Sequence, residues 1–213
     1  MAFQATHLQF AYQIKDVLNI NDLDRYYSAV LYPDSRYITK IDRDLTHGKS
    51  RMDLNQITKL QDDFQKGWQV HLWYDKLGLP KLFNIATGLP YKEGGMEKMN
   101  YWIPVTGAKV VEDLYWWQNN NWSKILQYLK FQKQPNDEDQ EILIKWYQYF
   151  IDFFQAKPDL NKYQIQAHFM GIDKHKTKQI IAYANKLNID NPKKQSLQQV
   201  MEKVKAEFIN LIY

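Results

Sequence analysis

An all-α, multi-helix bundle is the fold class that this sequence predicts, and three observations predict it. Side chains recur at helical spacing over long stretches; Phe64, Trp68, His71, Leu72 and Asp75, for example, share one face. Glycine is scarce, at 8 residues, and the regularly spaced turn signals of β-hairpins are missing. Cap residues stand in front of the periodic runs: Thr6 with Gln9 three residues on, Asn21-Asp22, and Asn136-Asp137.

The elements follow in order. The spacing places a first helix over 7–18, capped by Thr6, and a second over 22–31. Pro33-Asp34-Ser35 breaks the second, and the polar stretch 34–53 is predicted as a loop. A third helix runs from a cap at Asp53 or Asn55 to Leu77, where Gly78 and Pro80 read as its stop. Residues 80–107 then form a long glycine-bearing loop or lid with a short helix around 96–100. Helices resume over 108–118, 122–131 and 137–155, and the tail reads as helices over 161–169, 173–188 and 195–212. This divides the chain into a helical site-bearing domain, 1–157, and a helical, lysine-rich segment, 158–213, packed on it or appended to it.

Composition narrows the chemistry. With no cysteine, thiol nucleophiles, disulfides and cysteine-held zinc are excluded, so any zinc must sit on His and carboxylate. Aromatics reach 15%, and the polar tips of 15 Tyr and 7 Trp need partners wherever they are buried. No apolar run approaches a membrane span and the N-terminal stretch lacks a basic, then apolar, leader pattern, which predicts a cytoplasmic protein without a membrane partner. The net charge of +4 is concentrated in the tail, where eight Lys face four acids from Asp173 onward.

Five residues carry the candidate chemistry: His7, Asp34, His47, His71 and Asp75. Only five His exist, and three of them fall in the first third of the chain. His71 and Asp75 stand four apart on one helix, so they share a face with Cβ atoms roughly 5–6 Å apart and can reach one cation. That is the geometry by which H-E-x-x-H holds zinc through two His. Asp34 follows a proline on a rigid turn, and His47 lies in the polar Thr46-His47-Gly48 loop.

The order His7, Pro33-Asp34, His47, Gly67-(x)3-His71-(x)3-Asp75 resembles the zinc-dependent phospholipase C family, over about residues 1–80. Thr6-His7 is similar to the family's first-helix Thr-His, Ala29–Asp34 to its Pro-Asp segment, and Gly67–Asp75 to its G-x-x-x-H-x-x-x-D helix. The resemblance implies a bundle of that fold and a metal-dependent phosphoester hydrolase. His7, His47, His71 and Asp75 would be ligands, and Asp34 a ligand or the base that orients the attacking water. Zinc is the expected divalent metal; manganese or iron would suit the same donors. The expected partner is a small phosphorylated substrate.

The chain also departs from the family. It begins Met1-Ala2-Phe3 where secreted relatives use an N-terminal Trp, and no His occurs between His71 and His168. Glu112 and Asp113 are candidates for the later ligands.

Several residues have a second reading. Trp68, Trp73, Tyr74 and Trp102 suit a substrate slot but stand at core spacing, while Arg36, Arg51 and Lys92 could meet phosphate. Asp113 and Asp152 also read as surface or cap acids, and His168 as a packed or capping residue. Two rival functions remain: a non-catalytic relative with a structural or vestigial metal site, and DNA binding through 173–213. There, 163–170 and 174–187 mimic helix-turn-helix spacing, although Arg, the commonest base reader, is absent from the segment.

Overall fold

A computed structural model describes residues 3–48, 51–92 and 99–213. Their regular structure is all helix, with no strand among them. The helices are α1 (Gln4–Ile14), α2 (Leu23–Leu31), α3 (Arg36–Thr39), α4 (Leu54–Ile57), α5 (Asp63–Thr87), α6 (Met99–Asn119), α7 (Ser123–Leu126), α8 (Gln140–Gln155), α9 (Lys162–Phe169), α10 (Lys174–Ile189), α11 (Asn191–Gln198) and α12 (Val200–Ile212). A 3-10 turn, Tyr32–Ser35, follows α2, and a π-turn covers Asp44–Gly48.

The bundle is organised around α5. It packs against α2, α6, α1 and α12, while α6 in turn takes α10, α11 and α1. A single apolar cluster runs from Phe3 to Phe208 through all the long helices. No helix among the described residues is long and apolar enough to cross a membrane.

The buried aromatics obtain the partners their polar tips require. Tyr26 Oη donates to the Ala11 carbonyl at 3.1 Å, Trp146 Nε1 to Leu31 at 3.1 Å and Tyr147 Oη to Ser28 at 3.2 Å. These bonds use backbone acceptors on α1 and α2, so they fix helix positions as well as satisfying the donors.

Several boundaries differ from the sequence expectation. The first helix begins at Gln4, so Thr6 lies inside it and caps nothing. The 34–53 stretch holds a 3-10 turn, α3 and a π-turn rather than irregular loop. The long central helix starts at Asp63 after an Asp62 cap, whose side chain accepts from Phe64 N, and continues past Gly78 and Pro80 to Thr87.

Gly78 packs its bare Cα against the Tyr74 ring, which makes it a packing position. The stop is Gly88, at φ +73°, whose N–H returns to the Asn84 carbonyl. The expected lid over 80–107 is thereby mostly helix: α5 takes its start and α6, with Pro104 inside, its end. The part of the expected short helix at 96–98 lies outside the described residues. The helix expected over 122–131 is only α7, the one expected from 137 starts after an Asp139 cap, and the last expected helix divides into α11 and α12.

Gly67 marks the crossing of α2 and α5. A Cβ there would sit 2.1 Å from the Tyr26 carbonyl oxygen, inside its van der Waals surface. Only glycine permits this approach, and the approach sets how closely α5 lies under α2 and the Pro33-Asp34 turn. Gly67→Ala is expected to destabilise the fold by about 2–3 kcal/mol, the upper part of the usual range for overpacking. Urea denaturation followed by far-UV circular dichroism measures it.

Candidate metal centre

The five candidate residues, 68 positions apart at the extremes of the chain order, converge on one point. His7 comes from α1, Asp34 from the 3-10 turn, His47 from the π-turn, and His71 and Asp75 from α5. His7 Nε2 lies 3.6 Å from Asp75 Oδ1, and His71 Nε2 lies 3.9 Å from Asp75 Oδ2. His47 Nε2 lies 3.6 Å from Asp34 Oδ1 and 4.0 Å from Asp75 Oδ2. The His7 and His71 rings stack at 3.8 Å between centroids, 14° apart.

These separations suit a shared cation. They exceed hydrogen-bonding distance. With ligand bonds of about 2.1 Å, tetrahedral donors stand about 3.4 Å apart. Within the cluster, one atom each from His7, Asp34 and His71 lies within 4.8 Å of the others, and the same holds for His47, His71 and Asp75. Both sets include His71, so they overlap.

Four of the donor atoms are bare. Both nitrogens of His7, Asp34 Oδ1 and His71 Nε2 are buried without a hydrogen-bond partner. Buried polar atoms almost always find one, so several orphans facing each other point to a missing ligand.

Three of the five side chains, His71, His47 and Asp34, are oriented from behind. His71 Nδ1 donates to the Val30 carbonyl at 2.8 Å, which aims Nε2 at the cluster. His47 Nδ1 hydrogen-bonds with Thr46 Oγ1 at 2.9 Å. Asp34 Oδ2 accepts from Gln4 Nε2 at 3.2 Å, and Gln4 Oε1 in turn accepts from Gln166 Nε2 on α9. The π-turn is fastened to α5, because Trp68 Nε1 donates to the Thr46 carbonyl at 2.8 Å. Further along, Trp73 Nε1 donates to the Met52 carbonyl at 3.0 Å.

Electrostatics prepares the donors. Burial, with the His71 imidazole alongside, holds His7 well below its ordinary pKa and pushes His47 down to about 2. Both rings are therefore neutral at neutral pH, the form that binds metal. Burial raises Asp34. Burial also opposes charge on Asp75, yet the positive charge around it, Lys109 included, holds its carboxyl well below the usual carboxylate range.

Glu112 and Asp113 stay outside the two donor groups and act from behind them. Tyr74 Oη donates to Glu112 Oε1. Asp113, expected as a ligand or a surface or cap acid, is fully buried: it accepts from Thr6 N at 2.6 Å and Tyr163 Oη at 2.8 Å. It thus caps α1 from across the fold. Asp152 is exposed and accepts from Gln148 Nε2, and His168 is exposed at a cleft between α9 and α10.

A cavity of about 360 Å³ opens over His47 and Asp75, flanked by Arg43, Arg51, Lys76 and Lys109. Of the residues expected to meet phosphate, Arg51 lines it; Arg36 instead donates to Tyr37 Oη at 2.6 Å, and Lys92 is exposed and does not line it. None of the four aromatics considered for a substrate slot lines this cavity. Larger clefts, of about 660 and 680 Å³, lie beside α7 and between α9 and α10, and neither contains a convergent donor set.

Sequence reasoning missed Gln4, Gln166, Arg43, Lys76 and Lys109. Two left a trace: Gln4 stands three before His7 on α1, and Lys109 interrupts an apolar run, Ala108-Lys109-Val110-Val111.

No protein-family model, no curated protein and no solved structure matches this chain.

Burial pushes Glu112 up to about 8, helped by the neighbouring Asp113 charge. Its folded pKa lies above its unfolded value of 4.5, so between these pH values the folded chain holds a proton that the unfolded chain releases. Stability from this group is full below that window and falls as pH rises through about 8. In chelator-treated protein, Glu112→Gln is expected to show a shallower fall in urea midpoint from pH 6 to 9 than wild type. Equal slopes would clear Glu112 of the effect.

Proposed function

We propose that this protein is a metal-dependent hydrolase of phosphoesters, with His7, Asp34, His47, His71 and Asp75 holding a divalent metal, zinc foremost. The observation that carries the reading is the set of buried, unpartnered donors on three elements facing one another at ligand-to-ligand distances. Three imidazoles and two carboxylates, with no thiolate, match zinc, manganese or iron by donor chemistry. The resemblance to zinc-dependent phospholipases C along residues 1–80 adds support from the order of the same residues.

Bound there, a divalent metal supplies Lewis-acid polarisation of a phosphoryl oxygen and acidifies water. The chain supplies the rest. His7 and His47 offer neutral nitrogens, and the Val30 carbonyl keeps the His71 ring in place. Asp34 Oδ1, beside His47 and held through Oδ2 by Gln4, either completes the ligand set or takes the proton of the attacking water; burial raises its pKa in the direction a general base requires.

Catalysis is favoured over a closed structural site by one feature. The cluster is open on one side: His47 and Asp75 border the cavity while His7, Asp34 and His71 are sealed. Structural zinc sites are closed; catalytic ones keep a position for substrate. The rival DNA-binding reading has an exposed Lys174-His175 start to α10 and a Gly171 turn at φ +74° in its favour, but its other face is committed to packing on α6.

Protein purified without chelator is expected to carry tightly bound zinc or manganese by mass spectrometry of metals. His71→Ala and Asp75→Ala should each weaken that binding at least about 100-fold, beyond the loss typical of an orienting partner, and abolish phosphoester turnover. A wild-type protein that stays metal-free and inert across phosphoesters with added zinc or manganese would sink the proposal.

A further inference from the structure

Resting on the metal-centre reading, we infer that the cavity over His47 and Asp75 takes a phosphomonoester dianion. The cavity presents four cations, Arg43, Arg51, Lys76 and Lys109, against the single carboxylate of Asp75. A phosphomonoester carries a charge near −2 at neutral pH, and its terminal oxygens are all free to accept. A diester carries one charge and fewer free oxygens. A quaternary ammonium headgroup would be repelled.

Lys109 is the most buried of the four. The residue is only 3% exposed, it lines the cavity, and its charge acts on Asp75 and Glu112. A cation held this far out of bulk water attracts an anion more strongly than a solvated surface lysine does.

Its neighbours have complementary settings. Lys76 Nζ is positioned 4.2 Å from the centroid of the Trp73 ring. Arg43 and Arg51 flank the π-turn that carries His47, so the turn delivers a metal-type donor and two guanidinium forks to the same opening. The volume, about 360 Å³, stands near the lower limit for ligand sites and accommodates a phosphate with a small organic group.

The test uses the full chain loaded with zinc or manganese, with metal content measured in every sample. Wild type is expected to bind inorganic phosphate and to turn over p-nitrophenyl phosphate at least about tenfold more efficiently than bis(p-nitrophenyl) phosphate. Lys109→Met and the double variant Arg43→Ala/Arg51→Ala should each weaken phosphate binding and raise the monoester KM about tenfold, while metal content holds.

The arginines are exposed, so their variant reports even where the buried lysine change impairs folding. Glycerol phosphate and vesicles containing phosphatidic acid offer the same dianion in solution and on a lipid; turnover of either supports the inference and names its source. Metal-loaded, active protein that prefers the diester, or whose variants bind phosphate as wild type does, overturns the inference and leaves the metal centre standing. Protein that takes up no metal overturns both.

Discussion

The buried carboxylate of Asp113 is the constraint on which the site depends. α1 has no side-chain cap of its own, since Phe3 stands at its start. Its free N–H groups carry partial positive charge, and Asp113 meets them from α6, a hundred residues away in sequence. Tyr163 of α9 takes the other carboxylate oxygen. One side chain therefore ties α1, α6 and α9 together. On α1 that tie positions Gln4 and His7, and Gln4 positions Asp34. A buried acid satisfied on both oxygens tolerates little displacement, because moving any partner exposes an unpaired charge or polar group to a dry interior.

α5 supplies the complementary constraint. It carries His71 and Asp75 and, through the indole N–H groups of Trp68 and Trp73, holds the stretch that contains His47. The aromatic abundance of the sequence thus has a specific use here: large rings fill space on one side and fasten backbone on the other. The bareness of Gly67 brings the Pro33-Asp34 turn within range of this helix.

Much of this was legible in the sequence. The i, i+4 relation of His71 and Asp75 is a property of any helix, and α5 is strongly periodic, so that pair was readable from local rules. Asp34 was readable because proline fixes the turn before it. The all-helical class followed from spacing and sparse glycine.

What was not legible depended on distant partners. α1 starts two residues before its apparent Thr6 cap, and Asp113 caps it from another helix. Gly78 and Pro80 look like a stop, yet Tyr74 packs over Gly78 and the helix runs on to the left-handed Gly88. The relay from Gln166 to Gln4 to Asp34 joins positions 162 residues apart, and nothing in either segment announces it. Lys109 was visible only as a polar interruption in an apolar run.

The donors lie at positions 7, 34, 47, 71 and 75, and in an unfolded chain only the last two are neighbours. A cation taken up by the folded cluster would therefore find almost nothing comparable in the unfolded ensemble, and its binding free energy would be added to that of folding. At a thousandfold excess over the dissociation constant the increment is about 4 kcal/mol, a large part of the net stability of an ordinary domain. The persistence of this protein in a cell would then follow the local supply of metal, and scarcity would remove the chain itself as well as idle its site.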